Sequence, residues 1–369
     1  MAMLLANFPS PSGTYDVGCH DLEWDNSCSD AKSVLMRLYY PAKIKKTDTR
    51  ANWIPDAAYA KGKLEIVAHP KGYSYIVALC EIAKLPAFLS NWLSGLASIK
   101  KTQFYQDPDM IDKTCPVVVF SHGLGGNRLI YSCICADLAS HGFVVAAIEH
   151  REGSASLAKR DDEWIAYDNV PPEVWGFRHH QLRYRVSEIQ LALDCLDHAS
   201  LKGRFQHKLN MDQLIMAGHS FGGATTILML NEPHTRFQCG LLLDPWAQPL
   251  MMMTDKHIQI KRPVIAILSE QFSFWPDNYE SVQELIGHST CANKSVCLSL
   301  NGTEHQHQSD VLIVLRYWTL FDLRSPFQID PARAIDLNTE ASVAFINKTL
   351  SHKRKRKVTP RITKKQKMT

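Results

Sequence analysis

One short stretch of the sequence, Gly218-His219-Ser220-Phe221-Gly222-Gly223, constrains the fold of this chain more than any other feature. It has the form Gly-x-Ser-x-Gly, it follows the apolar run 214–217, and residues 224–231 after it favour a helix. In this pattern the serine occupies a tight turn between a strand and a helix, and the glycines around it prevent collisions in the turn. The stretch therefore predicts a nucleophile elbow with Ser220 as the nucleophile.

The order of apolar runs around the elbow predicts the fold class. Short apolar runs typical of strands lie at 117–120, 143–148, 214–217, 238–243, 264–268 and 295–300, with helical stretches between them. Alternation of this kind produces a mostly parallel sheet with helices on both faces. We therefore predict an α/β-hydrolase fold in a single domain over residues 1–350. An earlier run at 35–41 predicts an antiparallel strand, and the polar residues 161–172 predict a surface loop.

The charge of the chain is unevenly distributed. The formal net charge is +4, but the last 17 residues alone hold nine lysines and arginines, so the remainder is mildly acidic. Residues 351–369 are predicted to be a disordered basic tail. A nuclear localisation signal, a polybasic membrane contact and a merely solvated end are all consistent with its composition.

Several classes of protein are disfavoured by composition. The ten cysteines show neither a disulfide framework nor zinc-ligand spacing, so we expect buried free thiols and no metal site. The N-terminal residues lack the basic region of a secretory signal, and no run of about 18 apolar residues could cross a bilayer. These features favour a cytoplasmic protein over a secreted one.

Residues 84–100 carry an apolar stripe at helical spacing. A helix packed on the core is the ordinary explanation for such a stripe. A tryptophan with polar neighbours and two lysines at the end also fit a helix that lies in a lipid interface. The stripe includes Phe88, Leu89, Trp92, Leu93 and Leu96.

A serine nucleophile needs a base to take its proton and an acid to orient that base. Hydrolases with this fold place them in the chain order Ser, then Asp or Glu, then His. His305 and His307, beyond the last predicted strand, are the candidate bases. Asp244 and Glu270 each follow a strand after the elbow, and either carboxylate could orient an imidazole. The residues by themselves leave this choice open.

A glycine-rich turn, SHGLGG at 121–126, follows the predicted strand 117–120. In hydrolases of this fold a turn at this place supplies half of the oxyanion hole, since exposed main-chain N–H groups need room to face the substrate carbonyl. The sequence therefore predicts that the Leu124 main-chain N–H is one oxyanion donor.

Longer blocks of the sequence carry a family resemblance. They are SHGLGG at 121–126, DLASHGFVVAAIEHREGSAS at 137–156, GHSFGGAT at 218–225, LDPW at 243–246 and GTEHQ at 302–306. Over residues 13 to 350 the chain resembles the platelet-activating factor acetylhydrolases, the α/β-hydrolase family of the plasma and intracellular type II enzymes. The resemblance implies removal of short or oxidised sn-2 acyl groups from phosphatidylcholines, including the acetyl group of platelet-activating factor, without calcium or a cofactor.

The resemblance also implies roles for particular residues. Ser220 corresponds to the nucleophile, Asp244 to the acid and His305 to the base, and the main-chain N–H groups of Leu124 and Phe221 correspond to the oxyanion hole. The lipid-docking helices of the family resemble residues 84–100 and 311–321. We therefore expect a phospholipid substrate and peripheral contact with a membrane or lipoprotein surface.

Two other functions are consistent with the sequence. One is a general carboxylesterase or lipase without phospholipid preference. The other is a non-catalytic relative that binds a partner, an anionic membrane or nucleic acid through its basic tail. Because every catalytic position is filled, we favour the enzyme and expect no nucleic-acid partner.

Overall fold

The computed structural model describes residues 8–26, 29, 31–56, 59, 100–161, 163–254, 258–318 and 329–358. The predicted lipid-facing stripe of Phe88, Leu89, Trp92, Leu93 and Leu96 lies outside these ranges.

Five strands form the N-terminal part of the sheet: β1 (Val17–Asp25), β2 (Ser33–Lys43), β3 (Arg50–Asn52), β4 (Lys101–Gln106) and β5 (Asp109–Met110). Strand β2 pairs antiparallel with β1, which confirms the prediction for residues 35–41. Apart from its last residue, β2 is buried along its whole length, so it lies inside the sheet.

Six strands form the parallel part of the sheet: β6 (Cys115–Ser121), β7 (Val144–Glu149), β10 (Leu209–His219), β11 (Phe237–Leu243), β12 (Val264–Ser269) and β13 (Val296–Leu300). With the first five they make one 11-stranded sheet in the described part of the chain, in the order β13-β12-β11-β10-β6-β7-β2-β1-β4-β3, with β5 paired to β2. The strand that leads into the elbow, β10, lies between β6 and β11. Because parallel strands end at the same edge, this edge gathers the residues that follow them.

The helices cover both faces of the sheet, as predicted. They are α1 (Ser132–Ser140), α2 (Trp175–Leu201), α3 (Phe221–Asn231), α4 (Gln248–Met251), α5 (Pro276–Gly287), α6 (Val311–Trp318) and α7 (Pro331–Val358). Side chains of α1 and α7 pack into one core, and side chains of α2, α3 and α5 pack into a second. Alternate residues of β6 enter different cores, Val118 the first and Val119 the second, because successive side chains of a strand point to opposite faces.

A β-hairpin occupies part of the region predicted as a surface loop. Strands β8 (Leu157–Arg160) and β9 (Glu163–Ala166) pair antiparallel, so the loop prediction was wrong for residues 163–166. Trp164 stabilises this hairpin, because its ring packs edge-on against the ring of Tyr59 with centroids 5.1 Å apart.

Two C-terminal predictions are also corrected. Helix α7 extends through Val358, so residues 351–358 are helical where a disordered tail was predicted, and lysine and arginine are good helix formers. In the segment 311–321, expected to dock on lipid, Val311, Ile313 and Val314 are buried in the core. The start of that segment is therefore not a lipid-facing surface.

Free cysteines occur in the described part of the chain. Six of them are buried: Cys19, Cys115, Cys133, Cys135, Cys195 and Cys239. Burial raises the pKa of the Cys19 thiol to about 12, so it is a poor nucleophile at neutral pH. No helix within the described ranges combines the length and apolarity needed to cross a bilayer.

Candidate active site

Ser220 alone forms the turn between β10 and α3. Its φ is 55°, a left-handed conformation that costs a non-glycine residue about 1–3 kcal/mol. A Cβ at Gly218 would overlap the carbonyl oxygen of Gly222, and a Cβ at Gly222 would overlap the carbonyl oxygen of Ser121. The turn therefore needs both glycines, and the predicted strand-turn-helix arrangement is present.

His305 and Asp244 form a hydrogen-bonded pair beside the elbow. His305 Nδ1 donates to Asp244 Oδ2 at 3.0 Å, and the Asp244 side chain is fully buried while the His305 side chain is 32% exposed. The His305 carbonyl oxygen accepts a hydrogen bond from His219 Nε2 at 3.1 Å, and His219 directly precedes Ser220. Because Asp244 engages Nδ1, Nε2 is the nitrogen of His305 that remains for a proton from the serine.

Ser269 holds the Asp244 carboxylate, and the sequence analysis missed it. The Ser269 main-chain N–H donates to Asp244 Oδ1 and its hydroxyl donates to Oδ2, both at 2.6 Å. These bonds compensate a buried carboxylate that would otherwise be costly. Ser269 ends strand β12, so its place at the shared strand edge was the signal that could have found it.

The competing acid and base have other partners. Glu270 Oε2 accepts a hydrogen bond from the Gly302 main-chain N–H. His307 Nδ1 accepts from the Glu304 main-chain N–H at 2.9 Å, and its Nε2 donates to the Ile329 carbonyl oxygen at 3.2 Å. Both nitrogens of His307 are thus occupied, and Glu270 supports the loop after β13.

The glycine-rich turn lies directly against Ser220. A Cβ built at Gly123 would be 3.2 Å from the Cβ of Ser220. Among the described residues, the main-chain N–H groups of Leu124 and Phe221 have no hydrogen-bond acceptor. Two unpaired N–H groups on either side of a serine can hold the negative oxygen of a tetrahedral intermediate.

The Ser220 hydroxyl makes no hydrogen bond within the described part of the chain. In hydrolases without bound substrate, the hydrogen bond between nucleophile and base is often long and tightens when substrate binds. The hydrogen-bonded Asp244–His305 pair and the two free N–H groups near Ser220 can therefore support acyl transfer.

A buried polar network lies beneath the glycine-rich turn. Arg185 Nη1 donates to the His122 carbonyl oxygen at 2.7 Å, and His150 joins Ser121 Oγ at 2.7 Å to Glu188 Oε2 at 2.6 Å. Burial, with the nearby Arg185 charge, lowers the pKa of His150. A neutral imidazole in this position can bridge the two side chains, so the network supports the turn.

Within the described part of the chain, two groups of side chains have metal-ligand composition, His219 with Asp244 and His305, and His150 with Glu152 and Glu188. In the first group every candidate ligand atom except His305 Nε2 already makes a hydrogen bond, including His219 Nδ1 with the Tyr131 hydroxyl at 2.9 Å. In the second group Glu152 forms an ion pair with Arg185 at 2.7 Å, and the positive guanidinium of Arg185 beside the group would repel a metal cation. Neither group suits a metal ion.

Comparison with known sequences decides the family. The sequence model described as "Platelet-activating factor acetylhydrolase, isoform II" matches residues 4–367. The chain belongs to this family. As a platelet-activating factor acetylhydrolase family member it is a carboxylic ester hydrolase, as the resemblance implied. The match also covers most of the basic tail.

Relatives agree with the family assignment. A platelet-activating factor acetylhydrolase of Gallus gallus is 33% identical over 383 residues, covering 94% of this chain and 84% of the relative. One of Canis lupus familiaris is 31% identical over 382 residues, covering 94% of this chain and 78% of the relative. The structure is similar to a ferulic acid esterase from Streptomyces cinnamoneus, with a TM-score of 0.68, 16% identity and coverage of 92% and 91% of the two chains. That likeness confirms the α/β-hydrolase fold.

Proposed function

We propose that this protein removes the acetyl group of platelet-activating factor, and other short or oxidised sn-2 acyl groups, from phosphatidylcholines, which is a phospholipase A2 type of activity. One observation carries the chemistry: a strained Ser220 lies beside the hydrogen-bonded Asp244–His305 pair, of which Asp244 is buried. The names of the relatives supply the substrate class. In this proposal Ser220 is the nucleophile, His305 the base and Asp244 the acid.

The reaction proceeds in two halves. His305 Nε2 takes the proton of Ser220 Oγ as Oγ bonds to the sn-2 carbonyl carbon, and the carbonyl electron pair moves to oxygen. The oxyanion accepts hydrogen bonds from the N–H groups of Leu124 and Phe221. When the tetrahedral intermediate collapses, the ester C–O bond breaks, His305 gives its proton to the glycerol oxygen, and the lyso-phospholipid leaves. Water then attacks the acyl-serine with His305 again as base, which releases the short acid and restores Ser220.

The free N–H groups carry the electrostatic part of this mechanism. A single preorganised donor of this kind contributes about 10²- to 10³-fold to kcat. Because these donors polarise the carbonyl, the reaction needs no metal ion, and a chelator should leave the activity unchanged.

An acyl-length series tests the proposed substrate. With sn-2 acetyl, butanoyl, octanoyl and palmitoyl phosphatidylcholines and EDTA present, we expect kcat/KM for the acetyl compound to exceed that for the palmitoyl compound by about 100-fold or more. Each methylene group that does not fit in the site costs packing energy. A total cost of a few kcal/mol corresponds to a 100-fold ratio of kcat/KM. Equal rates on palmitoyl lipid and on a soluble aryl ester would instead indicate a general carboxylesterase or lipase.

We further propose that the protein is cytoplasmic and peripherally membrane-associated, and that residues 84–100 make the contact with the membrane or, if the protein is secreted, with a lipoprotein surface. Support comes from the helical apolar stripe with Trp92 among polar neighbours, because tryptophan favours the lipid–water interface. Trp92→Ser is expected to lower activity on vesicle-bound substrate about tenfold, since losing about 1.4 kcal/mol from the burial of one aromatic side chain corresponds to that factor. Activity on a monomeric soluble ester serves as the control and should not change. Equal losses on both substrates would contradict an interfacial role.

A further inference from the structure

His219, the residue before the nucleophile, uses both of its ring nitrogens. Its Nε2 lies 3.1 Å from the His305 carbonyl oxygen, and its Nδ1 lies 2.9 Å from the Tyr131 hydroxyl. The Tyr131 hydroxyl in turn accepts a hydrogen bond from the Gly123 main-chain N–H at 3.0 Å. His219 and Tyr131 are both buried. These three hydrogen bonds form a continuous connection from Gly123 to His305.

The chemistry of the groups fixes the direction of each bond. A carbonyl oxygen only accepts, so His219 Nε2 carries the hydrogen and Nδ1 is the acceptor. The Tyr131 hydroxyl therefore donates to Nδ1, and its oxygen remains to accept from Gly123. Burial, together with the neighbouring His305, lowers the pKa of His219, and this agrees with a neutral ring in a single tautomer.

Each end of this connection is next to a group with a proposed catalytic role. Gly123 directly precedes Leu124, whose N–H is a proposed oxyanion donor, and the carbonyl at the other end belongs to the proposed base. The rings of His219 and His305 also contact each other, with centroids 4.3 Å apart. A shift at Gly123 would thus be resisted by bonds that end on the backbone of His305.

We propose that Tyr131 and His219 are positioning residues that hold the oxyanion donor Leu124 and the base His305 in fixed relation across Ser220. The inference rests on the proposed function, because it assigns the two residues to the geometry of that reaction. They act through Gly123 and His305 and need not touch the substrate. The connection matters most in the transition state, when the oxyanion and the imidazolium form together.

The experiment removes one oxygen atom. Tyr131→Phe deletes the hydroxyl that joins Gly123 to His219 and keeps the ring that packs on Phe120. We expect kcat on sn-2 acetyl phosphatidylcholine to fall about tenfold with KM within about twofold, because small displacements of catalytic groups reduce the rate without removing substrate contacts. The matched control is Tyr39→Phe, since Tyr39 is also fully buried and its hydroxyl has no hydrogen-bond partner among the described residues. Its kcat should equal that of the wild type.

A double-mutant cycle distinguishes positioning from general loss of structure. If the connection acts as one unit, His219→Phe combined with Tyr131→Phe lowers kcat no more than His219→Phe alone. If the kcat losses of the two single variants multiply in the double variant, the inference is overturned. A Tyr131→Phe kcat within twofold of the wild type would also overturn it. So would a rise in KM that accounts for the whole loss. Wild type and Ser220→Ala are assayed together: undiminished activity of Ser220→Ala refutes the proposed function, whereas a Ser220-dependent activity indifferent to Tyr131 refutes only the positioning role.

Discussion

Ser220→Ala is expected to lower kcat on sn-2 acetyl phosphatidylcholine by about 10⁴-fold or more, the largest effect of any single substitution in this chain. Alanine removes the only oxygen that can form the acyl-enzyme, and His305 then has no nucleophile to deprotonate. The oxyanion donors remain, so a residual rate of about 10³-fold over the uncatalysed reaction is expected. The initial rate of acid release, followed over hours at high enzyme concentration, measures both.

The control for this substitution is Ser281→Ala. Ser281 is a partly exposed serine whose hydroxyl donates to the Asp277 carbonyl oxygen in α5, and its loss should leave kcat unchanged. Thermal unfolding of both variants excludes misfolding as the cause of lost activity. Because the φ of 55° at Ser220 is no easier for alanine, we expect no gain in stability. A Ser220→Ala enzyme that kept most of its activity would refute the assignment of the nucleophile.

Asp244→Asn is expected to lower kcat by about 10⁴-fold, the second largest effect. The asparagine amide can donate to His305 Nδ1, which places the ring hydrogen on Nε2 and leaves Nε2 unable to accept the Ser220 proton. The carboxylate also stabilises the imidazolium that forms in the transition state, and the amide cannot. KM should change little, since Asp244 is fully buried behind the histidine.

Glu270→Gln provides the matched comparison for the acid. A glutamine oxygen can still accept the Gly302 N–H that Glu270 accepts, so the loop stays in place and only the charge is lost. We expect its kcat to remain within about threefold of the wild type. Glu270 makes no hydrogen bond or ion pair with His305 among the described residues, and a single partly exposed charge contributes little to the interaction energy. A loss in Glu270→Gln equal to that in Asp244→Asn would show that the acid had been wrongly assigned.

The elbow and the sheet could be predicted because their signals are local. The apolar runs that became β6, β7, β10, β11, β12 and β13 alternate with helical stretches, and each signal lies within one element. The requirement for glycine at Gly218 is likewise local, since a Cβ there would overlap the carbonyl oxygen of Gly222 in the same turn, whereas a Cβ at Gly222 would overlap the carbonyl oxygen of Ser121 in a distant segment. The loop prediction at 163–166 was wrong because the contact that stabilises β9 is not local. Trp164 of β9 packs on Tyr59, which is distant in the chain.

The choice of acid was not local. Asp244 and Glu270 both follow parallel strands, so the residues alone left them equal, and a family resemblance was needed to prefer Asp244. In the structure Asp244 contacts a histidine 61 positions later, while Glu270 contacts the loop at Gly302. Neither contact has a signature in the neighbouring sequence.

The sequence by itself determined that a serine would stand at a strained turn in a parallel α/β sheet, because glycine spacing and hydrophobic periodicity act over a few residues. Only the tertiary structure decided which carboxylate and which histidine stand beside that serine, and that Ser269, His219 and Tyr131 hold them there. Those relations depend on the order of strands in the sheet and on hydrogen bonds between distant segments. The position of a residue along the chain does not reveal these contacts. They arise because parallel strands bring the residues that follow them to one edge of the sheet.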